Sequence, residues 1–138
     1  MANFEVKSRR VVVDNKGNDK SVTETFFLEN CVSWANAEER MLSYFNYENE
    51  VVAMAISKVV EVVNNPCEED KLENYVFRAI LSYIFTDDNE EEKETKYPVL
   101  VWAKTVEEAM SLVSKHIEQG YGDMTIIGIT KTRIVETL

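Results

Sequence analysis

The sequence repeats itself at a nearly constant spacing. Phe4-Glu5-Val6-Lys7 opens a β-like run, and Tyr75-Val76-Phe77-Arg78 opens another 71 residues later. Ser33-Trp34-Ala35-Asn36-Ala37 begins a helical pattern, as does Thr105-Val106-Glu107-Glu108-Ala109, 72 residues on. Ala55-Ile56-Ser57-Lys58 returns as Gly128-Ile129-Thr130-Lys131 after 73 residues. We read these anchors as two copies of one unit, residues 1–63 and 74–138, joined by a linker over 64–73. A chain of 138 residues buries roughly 68–70% of its unfolded surface as one domain, whereas a half of about 65 residues is marginal alone. A single domain whose two copies share a core is therefore expected.

Phe4 to Asp14 is rich in β-branched and aromatic residues, as strands are. Asn15-Lys16-Gly17-Asn18-Asp19 is turn chemistry, and Ser21 to Glu29 returns as the second strand of a hairpin. Ser33 suits a helix N-cap, because its hydroxyl accepts from an otherwise unpaired N–H of the first turn. Trp34, Ala37, Met41 and Tyr44 or Phe45 then recur at helical spacing and form one apolar stripe. Val51 to Val63 is continuous and β-branched, the pattern of one long buried strand. Asn65-Pro66 breaks it, since proline lacks an amide donor and disfavours helical geometry before it.

The second copy follows the same order. Tyr75 to Phe85 is a strand, Thr86 to Lys96 an acidic hairpin tip, and Tyr97 to Ala103 the returning strand, which Pro98 starts at a sheet edge. Thr105 with Glu108 fits a capping box. Val106, Ala109, Met110, Val113 and Ile117 make the second stripe, and Gly120 and Gly122 offer a positive-φ stop. Met124 to Glu136 is the last strand. The expected fold class is α+β: a tandem duplication of a β-β-α-β unit, with about six strands and two helices packed on one side.

Hydrophobic residues make up 45% of the chain, which excludes a wholly disordered protein. No apolar run approaches the roughly 20 residues that span a bilayer, and the first residues lack the basic and apolar regions of a signal peptide. A cytoplasmic protein with no membrane partner is expected. Cys31 and Cys67 are too few and too isolated for a disulfide framework, so both are expected as free thiols. The formal net charge of −10 argues against sequence-blind adhesion to nucleic acid or anionic membrane. That average hides a segregation. Nine of the 25 acids fall in two loop-like stretches, Glu68 to Asp70 and Asp87 to Glu94, whereas Lys7, Arg9, Arg10, Lys58, Arg78, Lys131 and Arg133 fall in strand-like runs. The sheet is thus expected to be locally basic.

Val22-Thr23-Glu24 leading into Ser33-Trp34-Ala35-Asn36-Ala37-Glu38, Tyr75-Val76-Phe77-Arg78 with its acidic hairpin, Leu100-Val101-Trp102-Ala103, and Gly122-Asp123-Met124-Thr125-Ile126-Ile127 with Thr130-Lys131-Thr132 carry a resemblance. Together they resemble an uncharacterised family of roughly 150-residue proteins from gut bacteria and their tailed phages, a domain of unknown function. The similarity covers nearly the whole chain and consists of fold signatures, so it implies no active site. For phage members it implies single-stranded DNA binding in the host cytoplasm.

No residue set spells a reaction. Glu5-Val6-Lys7 and Glu94-Thr95-Lys96 have the Glu-x-Lys spacing of one nuclease fold, yet two-metal chemistry needs further converging carboxylates. Asp87, Asp88, Glu90 and Glu92 lack the glycine and spacing of an EF-hand and fit a solvated loop. His116, the only histidine, has no neighbouring nucleophile or orienting acid and suits the end of the second helix. The four glycines are scattered, which excludes a phosphate loop. No catalytic residue, metal site or cofactor is expected.

The constellation that carries chemistry is the interleaving of cations and aromatics on strands. Single-strand binders neutralise phosphates with Lys and Arg and stack bases on aromatic rings. Lys7, Arg9, Lys58, Arg78, Lys131 and Arg133 fit the first role, Tyr97 and Trp102 the second. The expected function is a non-enzymatic single-stranded DNA-binding protein of phage or bacterial DNA metabolism, its acidic loops free to recruit replication proteins. The alternative is a protein–protein interaction module without nucleic-acid binding, such as a homodimer joined through sheet edges or an open sheet face.

Overall fold

The computed structural model describes residues 1–66, 70–120 and 123–138. It is α+β, with two helices and eight strands in two four-stranded sheets, not one sheet of six. β1 (Ala2–Val13) and β2 (Asp19–Cys31) form an antiparallel hairpin, α1 (Trp34–Tyr44) follows, and β3 (Glu50–Ser57) returns antiparallel to β1. After β4 (Val62–Val63) the order recurs: hairpin β5 (Tyr75–Thr86) and β6 (Glu92–Ala103), helix α2 (Val106–Gly120), and β7 (Thr125–Lys131) antiparallel to β5. β8 (Ile134–Thr137) ends the chain. The sheet orders are β3-β1-β2-β8 and β4-β6-β5-β7.

Two compact units result. Met1–Ser57 with Arg133–Leu138 form one, and Lys58–Thr132 the other. The long strand expected over Val51 to Val63 is broken after Ser57. β3 stays with β1, and β4 pairs parallel with β6, Val62 opposite Leu100. The expected last strand breaks likewise into β7 on β5 and β8 parallel to β2. Cys67, Glu68, Glu69 and Gly122 lie outside the described residues.

Each unit has its own helix-on-sheet core. In the first, Phe4, Val6, Phe26 and Leu28 pack with Ala37 and Met41 of α1. In the second, Phe77, Ala79, Leu81, Val99 and Val101 pack with Ala109, Val113 and Ile117 of α2. The helices start where expected: Asn36 N–H donates to Ser33 Oγ at 3.1 Å, and Glu108 N–H to Thr105 Oγ1 at 3.1 Å. The stripes are narrower than expected. Trp34 opens α1 and stays 49% exposed, with its ring edge-on to Phe4. Val106 opens α2 and is partly exposed too, while Met110 is rotated about 100° from Ala109 by the helical period and faces outward. Cys31 is a buried free thiol beside Arg40.

The hairpin turns share one hydrogen-bond scheme. Asp14 Oδ1 accepts from Lys16 and Asn18 N–H, and Asp87 Oδ1 accepts from Asn89 and Glu91 N–H, all at 2.9 Å. The fourth residue of each turn is left-handed, Gly17 at φ 79° and Glu90 at φ 62°. Gly120 needs no such geometry and ends α2 without positive φ.

Two outcomes follow for stability. Met41→Ala empties a fully buried site and is expected to cost about 2–5 kcal/mol; an unchanged denaturation midpoint would place that face in solvent. Glu90→Gly removes a Cβ from a left-handed residue, a relief of about 1–2 kcal/mol that glycine's extra chain entropy offsets in part. A net gain of up to about 1 kcal/mol should show as a raised midpoint in urea.

Candidate nucleic-acid interface

Side chains alternate along a strand, and Phe4, Val6 and Ser8 of β1 are buried on one face, with Phe4 and Val6 in the core under α1. Lys7 and Arg9 therefore project from the opposite face. The hairpin register sets Lys7 opposite Thr25 and Arg9 opposite Thr23, so two cations and two hydroxyls share one patch. β8 brings a third cation, because Ile134 pairs with Thr25 and Arg133 immediately precedes it. Lys7, Thr23, Glu24, Thr25, Arg133 and Val135 line a cavity of about 270 Å³.

The electrostatics separate this cavity from its neighbour. Arg9, Arg10, Tyr47 and Glu50 help to line a second cavity of about 300 Å³. There Arg9 pairs with Glu50 at 3.0 Å, and Arg10 pairs with Glu24 at 3.1 Å while lying over the Phe45 ring. Tyr47 donates to the Glu39 carboxylate, whose hydrogen bond and charge raise the phenol above its ordinary pKa. Lys7 and Arg133, in contrast, have no carboxylate partner among the described residues. The one acid in their cavity, Glu24, is engaged by Arg10. Two uncommitted cations with two hydroxyl donors suit a tetrahedral oxyanion, for which charge-assisted hydrogen bonds are the strong ones.

The other expected site residues do not join this patch. Lys58 is exposed, one residue beyond β3. Arg78 is half-buried on β5, on the face opposite Phe77. Lys131 ends β7 with its ammonium 3.6 Å from the Tyr75 ring centroid. Tyr97 packs against the core under α2. Trp102 is corrected outright: it is 1% exposed, and a fully covered indole presents no face for a base to stack on. His116 is tied to Glu61, Nε2 to Oε1 at 2.6 Å, a carboxylate that no local pattern linked to it. Thr23 and Thr25 were missed, although folding Ser21–Glu29 back across the turn at Asn15–Asp19 already sets them opposite Arg9 and Lys7.

A protein family described as a domain of unknown function (DUF4494) matches residues 3–138. The chain belongs to that family. No curated protein matches the sequence. Membership in DUF4494 spans both units and assigns no chemistry to either, so the functional argument rests on the patch itself. Among the described residues, no helix is long and apolar enough to cross a membrane.

Proposed function

We propose that this DUF4494 protein is a non-enzymatic single-stranded DNA-binding protein, and that Lys7, Arg133, Thr23 and Thr25 hold one backbone phosphate. The observation that carries this reading is the pair of cations without carboxylate partners in a hydroxyl-lined cavity. Arg9 adds a second contact, since its exposed bond to Glu50 is worth at most about 1 kcal/mol and yields readily to a phosphate. The net charge of −10 opposes duplex DNA, whose charge density is the higher, and limits affinity for single strands. Trp102 has no part in this scheme, so binding is chiefly electrostatic. The resemblance to gut-bacterial and phage proteins suggests bacterial cytoplasm and DNA metabolism as the setting, with replication proteins as further partners.

The two units are, in the same proposal, copies of one ancestral β-β-α-β unit. Asp14 and Asp87 organise like turns 73 residues apart, Ser33 and Thr105 cap helices 72 apart, and Ala37 and Met41 are buried as Ala109 and Val113 are. Exchanging residues 14–18 with 87–91 should leave both hairpins folded; loss of cooperative unfolding in that variant would count against common descent.

Fluorescence anisotropy with a labelled oligonucleotide of about 30 bases, roughly twice the largest site size of a single-strand-binding fold, tests the binding proposal. Affinity should fall with salt; Lys7→Ala and Arg133→Ala should each flatten the log–log slope, and the two substitutions combined should flatten it by about 0.7, the share of one phosphate. No anisotropy change at low salt, or slopes unaltered in both variants, would refute it.

A further inference from the structure

The phosphate site on β1 has a direction. Glu5, Lys7, Arg9, Val11 and Val13 share the face of β1 opposite the core side chains Phe4 and Val6. Toward the hairpin tip Lys7 is followed by Arg9, and Thr25 and Thr23 lie across from them. Toward the start of the strand the next side chain on that face is Glu5, and the fully buried Phe27 lies across from it. β3 adds only Ala55 beside Glu5 and Ala53 beside Lys7. A strand laid along β1 therefore meets cations and hydroxyls from Lys7 to Arg9, and behind Lys7 a carboxylate that repels its next phosphate.

The charge of the cavity suits the end of a strand as well. Glu24 alternates with Thr23 and Thr25 to the other face, where Arg10 holds its carboxylate at 3.1 Å. Lys7, Arg133, Thr23 and Thr25 thus bring four donor groups and two positive charges to one place. A phosphodiester inside a strand has a single charge and two free oxygens. A terminal phosphate monoester carries about −1.5 to −2 at pH 7 and offers three. At about 270 Å³ the cavity is smaller than the pockets of drug-sized ligands, roughly 300–1,000 Å³, and suits one such group. We propose that the site takes the phosphorylated end of a single strand, with the terminal monoester on Lys7, Arg133, Thr23 and Thr25 and the next phosphate on Arg9, a placement that rests on the single-strand reading. The strand then leaves toward the hairpin tip, over Val11 and Val13, which are exposed on the same face and give sugars and bases an apolar surface.

Anisotropy with internally labelled oligonucleotides of about 10 bases, short enough to fill a single site, provides the test. One strand carries a 5′-phosphate, one a 3′-phosphate, and one has hydroxyls at both ends. A phosphorylated end, 5′ or 3′, should bind roughly tenfold more tightly than the hydroxyl-ended strand. Lys7→Ala and Arg133→Ala should each shrink that preference, with circular dichroism unchanged because both side chains are exposed. Arg9→Ala should instead weaken all three strands alike. Equal affinity for the three strands, or a preference kept in both Lys7→Ala and Arg133→Ala, would overturn the strand end and leave the single-strand reading standing. No binding of any strand would remove both. A nucleoside monophosphate that competes as well as the phosphorylated strand would also overturn the strand end, naming a free nucleotide as the ligand.

Discussion

Phe26, Phe27 and Leu28 are buried in succession, and so are all residues from Val99 to Ala103. Successive side chains of a strand point to opposite faces, so a run of this kind is covered on both faces, and a backbone buried in that way needs a strand on either side to pair its N–H and C=O groups. A hairpin supplies one neighbour only. β8 lies parallel beside β2 and β4 parallel beside β6, and each gives the strand that carries such a run its second neighbour. The connectivity follows from that need. The chain leaves the first unit after Ser57 to supply β4, and returns at Arg133 to supply β8. Two apolar stretches that look continuous in the sequence are divided at these crossings.

The remaining local structure is held by short-range polar devices that recur between the units. A carboxylate organises each hairpin turn, and a hydroxyl caps each helix. Only the left-handed turn position differs in cost, since glycine occupies it in one hairpin and glutamate in the other. These devices fix the hairpin registers, and the first register brings Thr23 and Thr25 across from Arg9 and Lys7.

The electrostatic character of the patch depends on which cations are already engaged. Arg9 and Arg10 are satisfied by Glu50 and Glu24, whereas Lys7 and Arg133 have no carboxylate partner among the described residues. An acidic protein thereby keeps two cations without a carboxylate partner beside one cavity. Net charge governs long-range attraction, while such a patch governs the contact itself.

Elements whose signals are local were legible before any coordinates. Both helices, their Ser33 and Thr105 caps, the first hairpin and the buried Ala37–Met41 and Ala109–Val113 pairs follow from turn chemistry, capping and a 3.6-residue period, whereas the second hairpin was legible only in outline: β6 starts at Glu92, within the stretch read as an acidic tip, and Pro98 lies inside it. Lys7 and Arg9 were recognisable as strand-borne cations, whereas Arg133, expected within the last strand, lies in the break between β7 and β8. Pairing between distant segments leaves no such mark. Nothing local in Val51 to Val63 says that its two ends serve different sheets, and a tryptophan in an apolar strand has the same letters whether covered or open. Trp102 and Trp34 were each assigned the wrong exposure because burial is decided by what packs against a side chain, not by its own hydrophobicity. The meeting of Arg133 with Lys7 likewise depends on β8 docking on β2, a contact between segments more than a hundred residues apart.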